Sequence, residues 1–175
     1  EIWGETTGSP TVVVGVIDSG IDVTHPDLYL SIWINQGEVP AGLRSQLADT
    51  DGDGLITFYD LNQCPVDDPH ACTWATGPNA TLLADFKPAG GSANGYIDAI
   101  DLLEDPRWGD GIDTDGNGFI DDFFGWNFRS EADEPFAPNN PSDVLGHGTH
   151  VAGTIGAIGN NELGVTGINW RSSLM

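Results

Sequence analysis

The sequence predicts an α/β domain built on a mainly parallel sheet, and two segments and one contrast carry that prediction. Thr11 to Ile17 (TVVVGVI) is β-branched and nearly all apolar, the composition of a strand buried on both faces of a parallel sheet. Gly146 to Gly156 (GHGTHVAGTIG) is a small-residue run that reads as a helix, its glycines and alanine permitting close packing on that sheet, with Asp143 just ahead of it. Between them, residues 37–109 are rich in Gly, Pro, Asp and Asn, with short apolar segments. That texture predicts an irregular insertion rather than regular αβ alternation.

The first strand ends in Asp18-Ser19-Gly20, a turn at its C-terminal edge, where functional groups gather in open α/β sheets. Pro26 suits the first position of a helix after His25. Phe123 to Phe128 (FFGWNF) is an aromatic, strand-like run, Glu131 to Pro141 a polar loop, and Ile168 to Met175 the beginning of another strand.

Charge narrows the function classes. The 27 Asp and Glu against 5 Lys and Arg give a formal net charge of −22. Nucleic acid and anionic membranes are excluded as partners, because both require a basic surface. Disorder is disfavoured by the 39% of hydrophobic residues and six Trp. Bound cations and adaptation to high salt remain as causes. The longest apolar stretch is far too short to span a membrane, and no basic-then-apolar leader opens the sequence.

Cys64 and Cys72 flank Pro65, Asp67, Asp68, Pro69 and His70. In an exported protein they read as one local disulfide. The rivals are a metal site with His70, whose two thiols and one imidazole would be an incomplete zinc set, and a free pair in a reducing compartment. Asn79-Ala80-Thr81 is a glycosylation sequon.

Asp18 at a strand end and His147 at a helix start are residue types that can form the acid and base of nucleophilic catalysis. Histidine takes and returns a proton near its ordinary pKa of about 6.5, and a carboxylate fixes its tautomer. Either residue alone is as well explained as a turn aspartate or a hydrogen-bonded helix histidine. Together and in context they match a family. VVVGVIDSGIDVTHPDL resembles the aspartate motif of the subtilisin-like serine peptidases, the subtilases, and DVLGHGTHVAGTIGAIGNNELGVTGI resembles their histidine motif and following loop. The resemblance covers residues 10–36 and 110–175. It implies a three-layer α/β/α fold, incomplete at the C-terminus, with Asp18 as orienting acid and His147 as general base. His150 would be a structural neighbour. The family's Gly-Thr-Ser-Met-Ala-like nucleophile segment has no counterpart among these residues, and Ser19, Ser172 and Ser173 lack its context. The chain is thus expected to supply two-thirds of a triad, to need the rest of the catalytic domain as partner, and to be inactive towards protein or peptide substrates by itself.

The acidic loops predict calcium as cofactor. An EF-hand loop places oxygens at its first, third, fifth, seventh, ninth and twelfth positions, with glycine at the sixth. Asp49, Asp51, Asp53, the Leu55 carbonyl, Thr57 and Asp60 fit that template, with Gly54 at the turn and a helix expected to follow. A degraded copy over Gly90 to Asp101 keeps Asn94, Asp98 and Asp101, so the two loops read as a paired module similar to dockerin repeats, joined through the apolar segments after their glycines. A third run offers Asp113, Asp115, Asn117, the Phe119 carbonyl, Asp121 and Asp122, but has Phe124 at the twelfth place. Many subtilases resemble the chain there. The resemblance alone implies a fourth site: Asp27, the Ile158 carbonyl, Asn161 and the Leu163 and Val165 carbonyls, with Asn160 as an alternative to Asn161.

These readings converge on a secreted or cell-surface, calcium-stabilised serine endopeptidase. The rivals are a non-catalytic calcium-binding structural or adhesion segment derived from a peptidase, and a bare metal-storage module, which the histidine motif disfavours.

Overall fold

A computed structural model of the chain describes residues 2–65, 68–69, 71–73, 76–80, 94–129 and 136–175. After a 3-10 turn at Ile2–Gly4 come strand β1 (Gly8–Val14), a second 3-10 turn (Tyr29–Ser31), helices α1 (Ala41–Arg44), α2 (Phe58–Asn62), α3 (Ala99–Glu104) and α4 (His147–Gly156), and strand β2 (Arg171–Leu174). No helix among the described residues is long and apolar enough to cross a membrane.

β1 and β2 pair in parallel, with Gly8 opposite Arg171, Val13 opposite Ser173 and Val14 opposite Leu174. The register slips between Gly8 and Val13, so β1 carries an irregularity that β2 lacks. On its other side Leu174 bridges Ile32 in parallel, and its carbonyl accepts the Trp33 N–H at 2.9 Å. Helix α4 lies on β2. A Cβ added at Gly156 would stand 2.5 Å from Ser172 Oγ and 3.3 Å from the Leu174 side chain, so glycine lets the helix lie close on β2. Ala152, on the same helix, is fully buried. The expected small-residue packing of helix on sheet is therefore present.

Burial of β1 is not. Val12 is 57% and Val13 43% exposed, and Ile17, just beyond the strand, fully so. An apolar strand is covered only where another element lies on it, and among the described elements α4 contacts β2. Two further expectations fail. Residues 25–28 form a turn rather than a helix, the Leu28 and Tyr29 N–H groups donating to the His25 carbonyl. Phe123 to Phe128 is turn and irregular backbone rather than strand. Its aromatics serve packing instead: Phe123 meets Trp108 edge-on at 6.0 Å, and the Phe119 ring lies against Trp126 and Phe128.

The described part of the acidic segment 37–109 shares the core of the flanking segments. Phe58, Leu61, Leu102 and Trp108 join Leu28, Phe123, Ile158 and Leu174 in one buried cluster. Each such side chain contributes roughly 1.5–3 kcal/mol by leaving water, so this segment is held by the same apolar packing as the sheet. Its two EF-hand-like loops do not pair through backbone at Ile56 and Ile97. Gln36 clamps Ile56, accepting its N–H and donating to its carbonyl, and Asn62 does the same for Ile97. Side-chain amides thus complete both segments in place of a strand partner.

Candidate active site and acidic loops

Asp18 follows β1 at the C-terminal edge of the sheet, and His147 is the first residue of α4. The two side chains meet: His147 Nδ1 lies 2.7 Å from Asp18 Oδ1 and 2.9 Å from Oδ2. The Ser19 N–H donates to Asp18 Oδ1 at 2.7 Å, fixing the carboxylate plane. The two elements come this close because Gly148 lacks a Cβ, which would stand 2.1 Å from the Gly20 carbonyl oxygen. Gly20 is held at φ +112, in the region that favours glycine, and its own Cβ would collide with the Pro141 carbonyl. The electrostatics are mutual. The hydrogen bond from His147, then that from Ser19, holds the Asp18 carboxyl below its ordinary range, and the bond to Asp18 raises the imidazole. The His147 side chain is 73% exposed, so its imidazole faces outward. Among the described residues, His147 is hydrogen-bonded through Nδ1 to Asp18. Ser19 Oγ is engaged by Asp143 and the Gly148 N–H, and Ser172 and Ser173 lie buried in β2.

The acidic candidates divide into those the fold gathers and those it uses otherwise. Asp49, Asp51 and Asp53 bring carboxylate oxygens within 4.8 Å of one another. Asp49 accepts the Gly52, Asp53 and Gly54 N–H groups, which lower its pKa, while burial raises that of Asp51 despite its ion pair with Arg171 at 3.1 Å. Asp60 stands apart from that cluster and is fully buried. Its Oδ1 accepts the Thr50 N–H and hydroxyl, its Oδ2 those of Thr57, so both oxygens tie the loop ends and cap α2. Leu55 donates its N–H to Asp53.

In the second loop, residues 90–93 lie outside the described residues. Asp98 and Asp101 form the capping box of α3, and Asn94 donates to Asp98. These residues shape a helix start, and no gathered set of carboxylates includes them among the described residues.

The third loop yields the most enclosed cluster. Asp115 and Asp122 converge with Glu38, again within 4.8 Å. Glu38 is fully buried; its Oε1 accepts the Asp115 N–H, while Oε2 has no hydrogen-bond partner. Asn35 donates to both aspartates, as does Asn117. Burial pushes Glu38 and Asp122 above the ordinary carboxylate range. Asp113 instead gathers the Gly116, Asn117 and Gly118 N–H groups. Asp121 turns away at φ 55 and accepts the Gly111 N–H. The Phe119 N–H donates to Asn117. Sequence reasoning missed Glu38 and Asn35, which lie far from the loop in sequence. A single acid in the otherwise apolar and amide-rich stretch before Val39 was the available signal.

At the fourth site, buried Asp27 receives the Asn161 side-chain amide on Oδ1 and the Val165 N–H on Oδ2, and its carbonyl accepts the Ile158 N–H. Asn161 is buried and Asn160 exposed, and of the two it is Asn161 that reaches Asp27. Leu163 donates its N–H to Asn161 Oδ1. The groups that face the Asp27 carboxylate here are donors. A cation there requires the Asn161 amide to turn and present its oxygen.

Cys64 and Cys72 are joined in a disulfide, which removes both thiols from any metal site; His70 lies outside the described residues. Asn79 is fully buried. Its amide donates to the Ala48 and Asp60 carbonyls and its oxygen accepts the Ala48 N–H, so the sequon nitrogen serves the fold.

The profile of the subtilase family, peptidase family S8, matches residues 9–175. Subtilisin-like protease 1 of Plasmodium berghei (strain Anka) is 46% identical over 66 residues, 38% of this chain and 10% of that protein. Its Plasmodium falciparum (isolate 3D7) counterpart is 46% identical over 65 residues, 37% of this chain and 9% of that protein. Subtilisin-like protease 2 of Plasmodium falciparum is 32% identical over 111 residues, 62% of this chain and 8% of that protein. The chain thus spans about a tenth of the length of the curated relatives it matches. With the family profile running from β1 through the Asp18–His147 pair to β2, the chain belongs to the subtilase family.

Proposed function

We propose that this chain is part of a serine endopeptidase of the subtilisin type, hydrolysing peptide bonds in protein or peptide substrates with an Asp–His–Ser triad to which it contributes Asp18 and His147. The observation that carries the proposal is the Nδ1 contact of His147 with both oxygens of Asp18. That contact fixes the tautomer with the proton on Nδ1 and leaves Nε2 to accept a proton from a serine supplied by the rest of the catalytic domain. As the imidazolium forms, the Asp18 carboxylate stabilises it, and His147 then returns the proton to the leaving amine. An acyl-enzyme and its hydrolysis follow.

Calcium is proposed as the stabilising cofactor. Glu38, Asp115 and Asp122 would hold one ion, and the unpartnered Glu38 Oε2 and three converging carboxylates fit a hard, oxygen-seeking cation. Asp49, Asp51 and Asp53 would hold a second, and Asp27 with Asn161 a third. Bound, the ion supplies positive charge that offsets the repulsion within each cluster. Export to the cell surface or medium is proposed on the disulfide and on calcium use.

The test uses the full-length parent: hydrolysis of a fluorogenic peptide and labelling by a serine-directed fluorophosphonate, with and without EDTA. Loss of both in His147→Ala supports the peptidase. A parent that neither cleaves nor labels, yet gains thermal stability with calcium, refutes it and favours the non-catalytic calcium-binding segment.

A further inference from the structure

The Asp18–His147 pair is oriented by little packing. The Asp18 side chain is 21% exposed and that of His147 is 73% exposed, so the imidazole's position depends on how the turn after β1 is joined to the start of α4. The joint is a closed set of hydrogen bonds around Asp143. Its Oδ1 accepts the Ser19 hydroxyl at 2.9 Å and the Leu145 and Gly146 N–H groups at 2.8 and 2.9 Å. Its Oδ2 accepts the Thr149 N–H at 3.0 Å and hydroxyl at 2.6 Å. Each hydroxyl then reaches across the joint. Ser19 Oγ accepts the Gly148 N–H from α4, and Thr149 Oγ1 accepts the Asp22 N–H from the turn, both at 2.9 Å. The backbone adds a reciprocal contact, the Asp143 N–H donating to the Ile21 carbonyl.

The chemistry of this arrangement is specific. Gly146 opens α4 at φ 84 and provides no capping side chain. Asp143 therefore takes up the Thr149 N–H of the first turn and the Leu145 and Gly146 N–H groups just ahead of it, and Ser19 Oγ takes up that of Gly148, all from outside the helix. A carboxylate is needed because five donors converge on it, and an amide would oppose at least one of them with its own N–H. Ser19 and Thr149 must carry hydroxyls, because each both donates to Asp143 and accepts from the opposite element.

We propose that Asp143, acting through the Ser19 and Thr149 hydroxyls, is the positioning residue that holds His147 against Asp18. It touches neither substrate nor the reacting atoms. The proposal rests on the peptidase reading for its effect on turnover and on geometry alone for its effect on the pair.

The experiment uses the full-length parent with 15N-histidine labelling, the His147 signal being the one lost in His147→Gln. Asp143→Asn is the severe variant, and Ser19→Ala, which removes one hydroxyl, is the mild one. The charged groups that hold the imidazole's pKa up are Asp18, on the turn, and Asp143. Loosening the joint is expected to lower the His147 pKa towards about 6.5 in Ser19→Ala. It should reduce kcat by about 10- to 100-fold with KM changed less than about twofold, since misplacement of about 1 Å costs on that order. Ser19→Ala with an unchanged His147 titration and unchanged kcat overturns the proposal. If Asp143→Asn does not fold, Ser19→Ala still decides. If the wild-type parent lacks activity, the peptidase reading falls, while the titration arm continues to test the positioning role.

Discussion

Gly148→Ala probes the joint by its sterics alone. Helix interiors favour alanine over glycine by roughly 0.5–1 kcal/mol, so propensity predicts a gain. The structure predicts a loss, because the new methyl would stand 2.1 Å from the Gly20 carbonyl oxygen and 3.2 Å from both the Gly20 carbonyl carbon and Asp18 Cβ.

 The obstacles are a backbone carbonyl and a Cβ, neither of which can swing aside. An ordinary carbon–oxygen contact is about 3.3 Å or longer, so α4 and the turn must separate by about 1 Å. That lengthens the 2.7 Å bond between His147 Nδ1 and Asp18 beyond hydrogen-bonding range. The net cost is about 1–3 kcal/mol, the usual penalty of overpacking, which for a domain of this size is a fall in Tm of roughly 2–12 °C. Scanning calorimetry measures the first effect, and histidine NMR the second, as a His147 pKa returning towards about 6.5. A variant as stable as wild type with an unmoved His147 titration refutes the steric argument.

Three more outcomes follow from other parts of the structure. Glu38→Gln should act in opposite directions with and without calcium. It removes a buried charge and so raises stability in EDTA by about 1–2 kcal/mol, but it weakens calcium binding measured by calorimetric titration; a calcium affinity equal to wild type removes Glu38 from the ligand set. Reducing the Cys64–Cys72 bond, whose partners are 8 residues apart, should cost about 2.5 kcal/mol by loop-closure entropy; melting curves with and without reductant that coincide contradict this. Asp143 is held below the ordinary carboxylate range by the hydroxyl and N–H donors around it, which outweigh its burial. A depressed carboxylate stabilises the fold above its unfolded pKa, so this contribution is present at neutral pH and is lost as pH falls below about 4. Urea titrations from pH 7 to pH 3 should show that loss, and Asp143→Asn should flatten it; an equal acid dependence in the variant counts against the assignment.

The Asp18–His147 pair was legible because it is written in local patterns. An apolar strand ending in Asp-Ser-Gly and a small-residue helix opening at His147 place both residues at element ends, and the glycines that admit close approach are visible as glycines. The helix α4 and the strand β2 were legible for the same reason. The aromatic run at Phe123 was misread as strand because its residue types suit both a sheet and a packed turn, and only the positions of Trp108 and Trp126 distinguish the two. Asp60 fits the last position of a calcium loop by spacing, yet spacing does not show that Thr50 and Thr57 take up both of its oxygens.

The sequence by itself determined the subtilase motifs, the residues of the pair and the acidic character of the segment between them, since these depend on residue type and short-range order. Tertiary structure decided which acids meet. Glu38 joins Asp115 and Asp122 because the core brings together segments distant in the chain, and its burial leaves one carboxylate oxygen unpartnered. It also decided that β1 is covered on less than both faces, because burial belongs to a strand's neighbours and not to its composition.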